Sequence, residues 1–350
     1  LLALGHSCQC LAINDPYLSS KLVHSCPEKS QFRLPAHMSW RERIQLVQNA
    51  IADFKPDLVS LQYVPHGYSP KGLPLLLPYR LASIHGDFRW HLMFHELWLE
   101  SNKFCRKILS VAQRLLLLTL CRKLTPFSVH TSNQNYAEKL ANSGISASVL
   151  PVFSNIDVAP PHKQVRPNLL KKFNLELNDP VWIFVFFGSI HPGWDYACFM
   201  EQVSKAAISS RKDAVIFLSI GKNQGVGAKI WNSMQSLPNH IIRFLRLGEL
   251  PENEVSQFLH SADFGVATTQ LSLLGKSGTA AAYARHGLPT IIPRIDISDD
   301  KKMQDFKGII HLDKYFEQSL LNPPKPLKSN SARQTAEFLM QNFEFLQIKP

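Results

Sequence analysis

Seven consecutive apolar residues, Val181 to Phe187, run directly into Gly188 and Ser189. A run of that length, bounded by glycine and without polar alternation, suits a strand buried on both faces of a helix-covered parallel sheet. Related runs follow it. Ala214 to Ile220 ends in Gly221, Ile241 to Leu247 ends in Gly248, and Phe264 to Ala267 and Thr290 to Ile292 are shorter. Helical spacing fills Tyr196 to Ser209 and Glu252 to Ser261 between them. Strand and helix in alternation predict a doubly wound α/β domain.

The same alternation precedes it. Cys8 to Ile13 reads as a strand before the turn Asn14-Asp15-Pro16. Trp40 to Phe54 reads as a helix, with Ile44, Val47, Ala50 and Ile51 in register. Strands are expected at Leu58 to Val64, Trp90 to Phe94, Phe127 to Thr131 and Val149 to Phe153. A helix is expected from Lys103 to Leu124, and another from Asn135 to Asn142 that Ser132 could cap. A polar stretch with Pro160, Pro161 and Pro167 then interrupts the pattern. The expected organisation is therefore a Rossmann-like domain over 1–155, a linker over 156–179, a second Rossmann-like domain over 180–325, and a C-terminal helical segment over 326–350, its helix running from Ser331 to Leu346. The opening, Leu1 to His6, is unlike a signal peptide and reads as mid-helix, with a first strand missing.

The net charge is +11, and residues 1–150 carry 16 Lys and Arg against 9 Asp and Glu, or +7 of it. A basic half suits an anionic partner such as lipid headgroups, nucleic acid or an acidic substrate, although many soluble proteins share it. The six cysteines show neither paired Cys-x-x-Cys spacing nor a Cys/His zinc pattern, which favours a reducing, cytoplasmic setting. The apolar run Leu115 to Cys121 is far shorter than the ~20 residues of a membrane span, and Arg114 and Arg122 flank it.

Gly275 to Pro289 carries the sharpest local signal. Gly275 and Gly278 bracket Lys276 and Ser277, an alanine-rich helical run follows, and Gly287 and Pro289 end it. One reading is an ordinary capped helix with small residues for packing. The other is a phosphate site, because a helix N-terminus offers unpaired N–H groups and partial positive charge and Lys276 adds a full one. A nucleotide-hydrolase P-loop is excluded, because Gln270 stands where its first glycine is required.

The ordered set Phe184 to Ser189, Leu247 to Leu250, Val255 to Leu259, Ser261 to Val266 and Ala280 to Pro289 resembles the donor half of the GT-B glycosyltransferases, specifically the large retaining group related to glycogen and sucrose synthases. Asp57 to Gln62, His95 with Glu96, and Thr131 with Ser132 fit that family less specifically. The resemblance implies two doubly wound domains facing a cleft, the first for the acceptor and the second for a nucleotide-diphosphate sugar. It implies a cytoplasmic hexosyltransferase of polysaccharide biosynthesis that moves a sugar to a glycan or lipid-linked acceptor. The chain has no Asp-x-Asp pair, so neither a metal nor another cofactor is expected.

By the same resemblance, Gly188, Ser189, Lys222, Lys276, Ser277, Gly278 and Thr279 would hold the donor diphosphate, and Gly248 and Glu249 the nucleoside. His95 and Glu96 would be catalytic, and His66 and Gly67 would line the acceptor side. The family's paired glutamates fall in this register at Leu274 and Ala282, neither of them acidic, and no arginine follows Gly188. A non-catalytic glycan- or nucleotide-binding relative and a sugar-nucleotide epimerase therefore stand beside the transferase. The helix from Lys103 to Leu124, with Arg106, Lys107, Arg114, Arg122 and Lys123, reads first as a core helix with a solvated basic side. Peripheral docking on anionic lipid at the inner face of the membrane is its alternative. No nucleic-acid partner is expected.

Overall fold

Val181 to Phe186 are at most 7% exposed, which is the burial their uninterrupted apolar pattern requires. The computed structural model describes residues 1–18, 24–26, 31–99, 104–150, 152–294, 308–326 and 331–344. Lys103, Pro151 and Leu346, which belong to three expected elements, lie outside them. The chain divides into two units, Leu1–Pro151 with Ala336–Pro350, and Val152–Thr335.

In the second unit α5 (Val165–Lys171) leads into β8 (Val181–Phe187), α6 (Tyr196–Ser209), β9 (Ala214–Ile220), α7 (Gly225–Ser236) and β10 (Ile242–Gly248). The chain continues through α8 (Glu252–Ser261), β11 (Phe264–Val266), α9 (Gly278–Arg285), β12 (Thr290–Ile292), β13 (Ile309–His311) and α10 (Phe316–Leu321). The strands form one parallel sheet in the order β10-β9-β8-β11-β12-β13. Counted from β8, that is the 3-2-1-4-5-6 order of a dinucleotide-binding sheet, and its direction reverses between β8 and β11. Alternate residues of β8 feed two cores. Ile183 and Val185 pack with Leu169, Val255 and Tyr283 on one face, and Trp182, Phe184 and Phe186 pack with Phe199 and Trp231 on the other.

Residues 156–179, expected as a linker, contain α5 and belong to this unit. Leu169, Leu170 and Leu175 are buried in its core, and the Arg166 guanidinium holds the Asp263 carboxylate at 3.1 Å while donating to the carbonyls of Ser261 and Val181. The prolines are accommodated because Pro160 and Pro161 precede α5 and Pro167 sits in its first turn, where its missing N–H costs nothing.

The first unit contains two sheets where one was expected. β1 (Cys10–Asp15), β2 (His24–Cys26) and β3 (Gln31–Pro35) form a three-stranded sheet in the order β1-β3-β2, with β2 antiparallel. β4 (Leu58–Tyr63), β5 (Arg89–Phe94), β6 (Ser128–Thr131) and β7 (Ser148–Val149) form a parallel sheet in chain order. Its helices are α1 (Trp40–Phe54), α2 (Leu77–Ala82), α3 (Phe104–Leu124) and α4 (Gln134–Ala141). Ser39 and Glu42 form a capping box on α1. The cap of α4 is Asn133 rather than Ser132, its side chain accepting from the Tyr136 N–H at 2.9 Å. Leu2–Leu4 form a single 3-10 turn, with Gly5 as its C-cap, instead of a helix end. The last helix, α11 (Ala332–Glu344), sets Phe343 edge-on to Phe127. The thiols of Cys8, Cys10, Cys105, Cys121 and Cys198 are free.

Candidate functional site

β8, β9 and β10 each end in a glycine with positive φ: Gly188 at 81°, Gly221 at 103° and Gly248 at 75°. An L side chain rarely adopts that backbone. The three turns are tied in a row. Gly188 N donates to Ile220 O at 2.8 Å, and Gly221 N donates to Gly248 O at 2.6 Å. A β-carbon on Gly221 would lie 3.3 Å from the backbone of Gly188, so the strand ends present a floor without side chains.

α9 is fastened to that floor. Ser277 caps it by accepting from the Ala280 N–H at 3.2 Å, and the Thr279 hydroxyl donates to Phe187 O at 2.9 Å. The fully buried Tyr283 hydroxyl donates to Val185 O at 2.8 Å and accepts from Phe187 N at 2.9 Å. β11 pairs with β8 only at Phe184 and Val185, so the hydroxyl stands in for a ladder partner where the two strands part. Burial drives its pKa up, keeping it protonated. The Tyr283 ring takes the space that any β-carbon on Gly265 would need, approaching that position to 2.5 Å.

Where β8 and β11 part, an open pocket of ≈ 640 Å³ forms, the place where this topology puts ligands. Gly188, Ser189, Lys276, Ser277, Gly278 and Thr279 all line it, so six of the seven residues assigned to a diphosphate come together. Lys222 lines a neighbouring pocket of ≈ 500 Å³ with Gly221 and Glu249. Asn155, Phe187 and Gly188 belong to both pockets. Gly248 is not part of that second pocket's lining and holds Gly221 through its carbonyl. Leu274 and Ala282, the positions of the family's glutamates, are 5% and 0% exposed in the apolar core.

Sequence reasoning missed three other pocket residues, His191, Thr268 and Arg294. Thr268 follows β11, and its hydroxyl accepts from the His191 N–H at 2.8 Å, bridging the loops after β8 and β11. Arg294 follows β12 and donates to Pro192 O at 3.1 Å, adding a second cation to the lining. All three stand just past strand ends, which is the one signal that could have found them.

In the first unit His95 follows β5, with its N–H on Tyr63 O. Its Nε2 donates to Gln62 Oε1 at 2.7 Å, and Gln62 Nε2 donates to Ser60 Oγ at 2.7 Å. Ser60 Oγ is 2.8 Å from His91 Nδ1, and His91 Nε2 is 2.9 Å from His130 Nδ1. Two tautomer arrangements fit these distances: either the Ser60 hydroxyl donates to His91 Nδ1 and His91 Nε2–H to His130 Nδ1, or His130 Nδ1–H donates to His91 Nε2 and His91 Nδ1–H to Ser60 Oγ. Burial, then the neighbouring His130, lowers His91 to about 3, and burial lowers His130. Both rings are neutral near pH 7, and the chain sets the orientation of His95. Glu96 is half-buried beside it. The exposed His66 donates from Nδ1 to Pro70 O at 3.2 Å, and Gly67 O accepts from Asn14 Nδ2 at 2.7 Å. These four candidates lie in one unit and the donor set in the other.

Among the described residues no three His, Cys, Asp or Glu side chains converge as a metal site, and no helix is long and apolar enough to cross a membrane. No protein-family model matches the sequence, and no curated protein matches it. Solved structures do match. Trehalose-6-phosphate synthase from E. coli, bound with UDP-2-fluoro glucose, aligns at a TM-score of 0.54 and 10% identity over 95% of this chain and 88% of its own. Anabaena HepE, in complex with UDP and glucose, aligns at 0.53 and 10% over 91% and 78%. UDP-GlcNAc 2-epimerase from Methanocaldococcus jannaschii aligns at 0.50 and 10% over 90% and 85%. At these identities the likeness shows the fold, and the fold is α/β with two Rossmann-like units, that of the GT-B enzymes.

Proposed function

We propose that this protein transfers a sugar from a nucleotide-diphosphate sugar to a glycan or lipid-linked acceptor, with retention and without a metal. The observation that carries the reading is the pocket at the β8/β11 switch point. It combines a side-chain-free glycine floor, the N-terminus of α9, and the cations Lys276 and Arg294. Solved structures of the same fold hold UDP with glucose and UDP-2-fluoro glucose, which supports a uridine diphosphate sugar as the first donor to try.

Sugar transfer leaves negative charge on the departing diphosphate and positive charge at the anomeric carbon. Backbone N–H groups at Gly278 and Thr279, the Ser277 and Ser189 hydroxyls and the Lys276 ammonium would take up the first. Lys222 and Glu249, in the neighbouring pocket, would face the nucleoside end. His95, held by Gln62, and Glu96 would serve the reacting sugar, and the loop of His66 and Gly67 the acceptor.

A second reading is a sugar-nucleotide epimerase. It is favoured by the M. jannaschii epimerase among the structural neighbours and by the apolar residues at Leu274 and Ala282. A binding protein without turnover is the third. One experiment separates them: the protein is incubated with UDP-glucose and UDP-N-acetylglucosamine, with and without glycan and lipid extracts, and products are followed by NMR. Acceptor-dependent release of UDP with a retained anomeric configuration supports the transferase. Epimerised donor without acceptor replaces it with the second reading, and binding without turnover replaces it with the third.

A further inference from the structure

We propose that the outward face of α3 docks in the plane of an anionic lipid bilayer. The inward face of this helix is accounted for: Leu116, Leu117, Leu120 and Leu124 are buried in the first unit's core. The opposite face should be polar, and it is not. Phe104 is 77% exposed, Ile108 58%, Val111 57% and Leu115 57%. Their spacing of four, three and four places them within a sector of about 60° at 100° per residue, a row about 16 Å long. A contiguous exposed apolar row of this kind marks a contact surface rather than scattered surface leucines.

The charges around the row name the partner. α3 contains Arg106, Lys107, Arg114, Arg122 and Lys123 and no acidic residue, a charge of +5. By helical angle Lys107 and Arg114 lie along one flank, Arg114 donating to Asn142 O at 3.2 Å, Arg122 continues the row, Lys123 lies on the other flank, over the exposed Tyr79 ring at 5.0 Å, and Arg106 lies on the opposite side of the helix. α2 packs along α3 and has no acidic residue either. Apolar side chains in the middle with cations on the edges match an interfacial helix, whose row enters the headgroup–acyl boundary while the cations meet lipid phosphates. A second copy of the chain would oppose two faces of the same positive sign, which argues against self-association. No helix among the described residues is long and apolar enough to span a bilayer, so contact would be in the plane.

The test is co-sedimentation of the whole protein with vesicles. Phosphatidylcholine vesicles are compared with an equimolar mixture of phosphatidylcholine and phosphatidylglycerol. One variant replaces Phe104, Ile108, Val111 and Leu115 with Gln, and a second replaces Lys107, Arg122 and Lys123 with Gln. All seven are exposed, and circular dichroism and sedimentation velocity confirm fold and oligomeric state. The expected result is binding to the phosphatidylglycerol mixture that falls about tenfold or more in each variant and weakens with salt. Equal binding to both vesicle types, wild-type binding by the apolar variant, or a wild-type dimer that the apolar variant converts to monomer without any vesicle binding would each overturn the proposal.

Discussion

The hydroxyl of Tyr283 holds the pocket at its root, and Tyr283→Phe isolates it. The substitution keeps the ring that fills the space over Gly265 and removes only the oxygen. Two buried backbone groups then lose this partner, the N–H of Phe187, which donates to it at 2.9 Å, and the carbonyl of Val185, which accepts from it at 2.8 Å, and the Val266 carbonyl loses a longer contact at 3.3 Å. Tyr283 is 0% exposed, so water does not replace the oxygen without rearrangement. Leaving a buried group unsatisfied costs about 1–3 kcal/mol. The carbonyl has a second lone pair and loses less than the N–H, so the expected total is about 2–4 kcal/mol. Phe187 also receives the Thr279 hydroxyl at its carbonyl, so the loosened strand end frees the start of α9. Hydrogen exchange by mass spectrometry, together with urea unfolding, reads both effects. Faster exchange should appear in peptides covering Val181–Phe187 and Gly278–Arg285, with the first unit unchanged. A stability change under about 0.5 kcal/mol, the scale of an ordinary surface substitution, with unaltered exchange in these peptides, would refute the argument that this oxygen replaces a ladder partner.

His91 makes the first unit sensitive to acid. Its folded pKa of about 3 lies below the unfolded value, so the folded state resists protonation, and stability is full above the unfolded pKa and falls as pH drops toward the folded one. Between pH 7.5 and 5 this group alone should remove about 2 kcal/mol, taking an unfolded pKa near 6.5. Hydrogen exchange of β5 amides in wild type against His91→Asn measures it; equal pH slopes in the two proteins would contradict the assignment. Whatever the turnover, it should survive saturating EDTA, because the pocket supplies Lys276, Arg294 and a helix terminus to the diphosphate. Complete loss on chelation, restored by magnesium or manganese, would oppose that.

The second unit was legible where burial is two-sided. β8, β9, β12, α6 and α8 carry the limits expected from sequence, because an unbroken apolar run or a clean helical register leaves few alternatives. Legibility failed where tertiary packing overrides local signals. α5 was read as linker because its neighbourhood is proline-rich, yet Leu169 and Leu170 decide its place. α7 begins with two glycines within three residues, poor helix formers, and stands because Trp231 and Met234 are buried beneath it. In the candidate site the glycines and the Lys276 loop were readable as local motifs. Thr268 and Arg294 were not, because their position depends on three strand ends that the sheet order brings side by side. The role of the Tyr283 hydroxyl depends on where β8 and β11 stop pairing, which no local pattern encodes.

The central claim is that the β8/β11 pocket holds a nucleoside diphosphate by its phosphates. Calorimetric titration of UDP, GDP and ADP, and of the matching nucleosides, into wild type and Lys276→Ala tests it most directly. The account predicts that wild type binds at least one diphosphate more tightly than its nucleoside. Lys276→Ala should weaken that diphosphate by about 1.5–3 kcal/mol, roughly ten- to a hundredfold, and leave the nucleoside unchanged. Absence of binding to any of the three diphosphates, or equal losses for diphosphate and nucleoside, would contradict it.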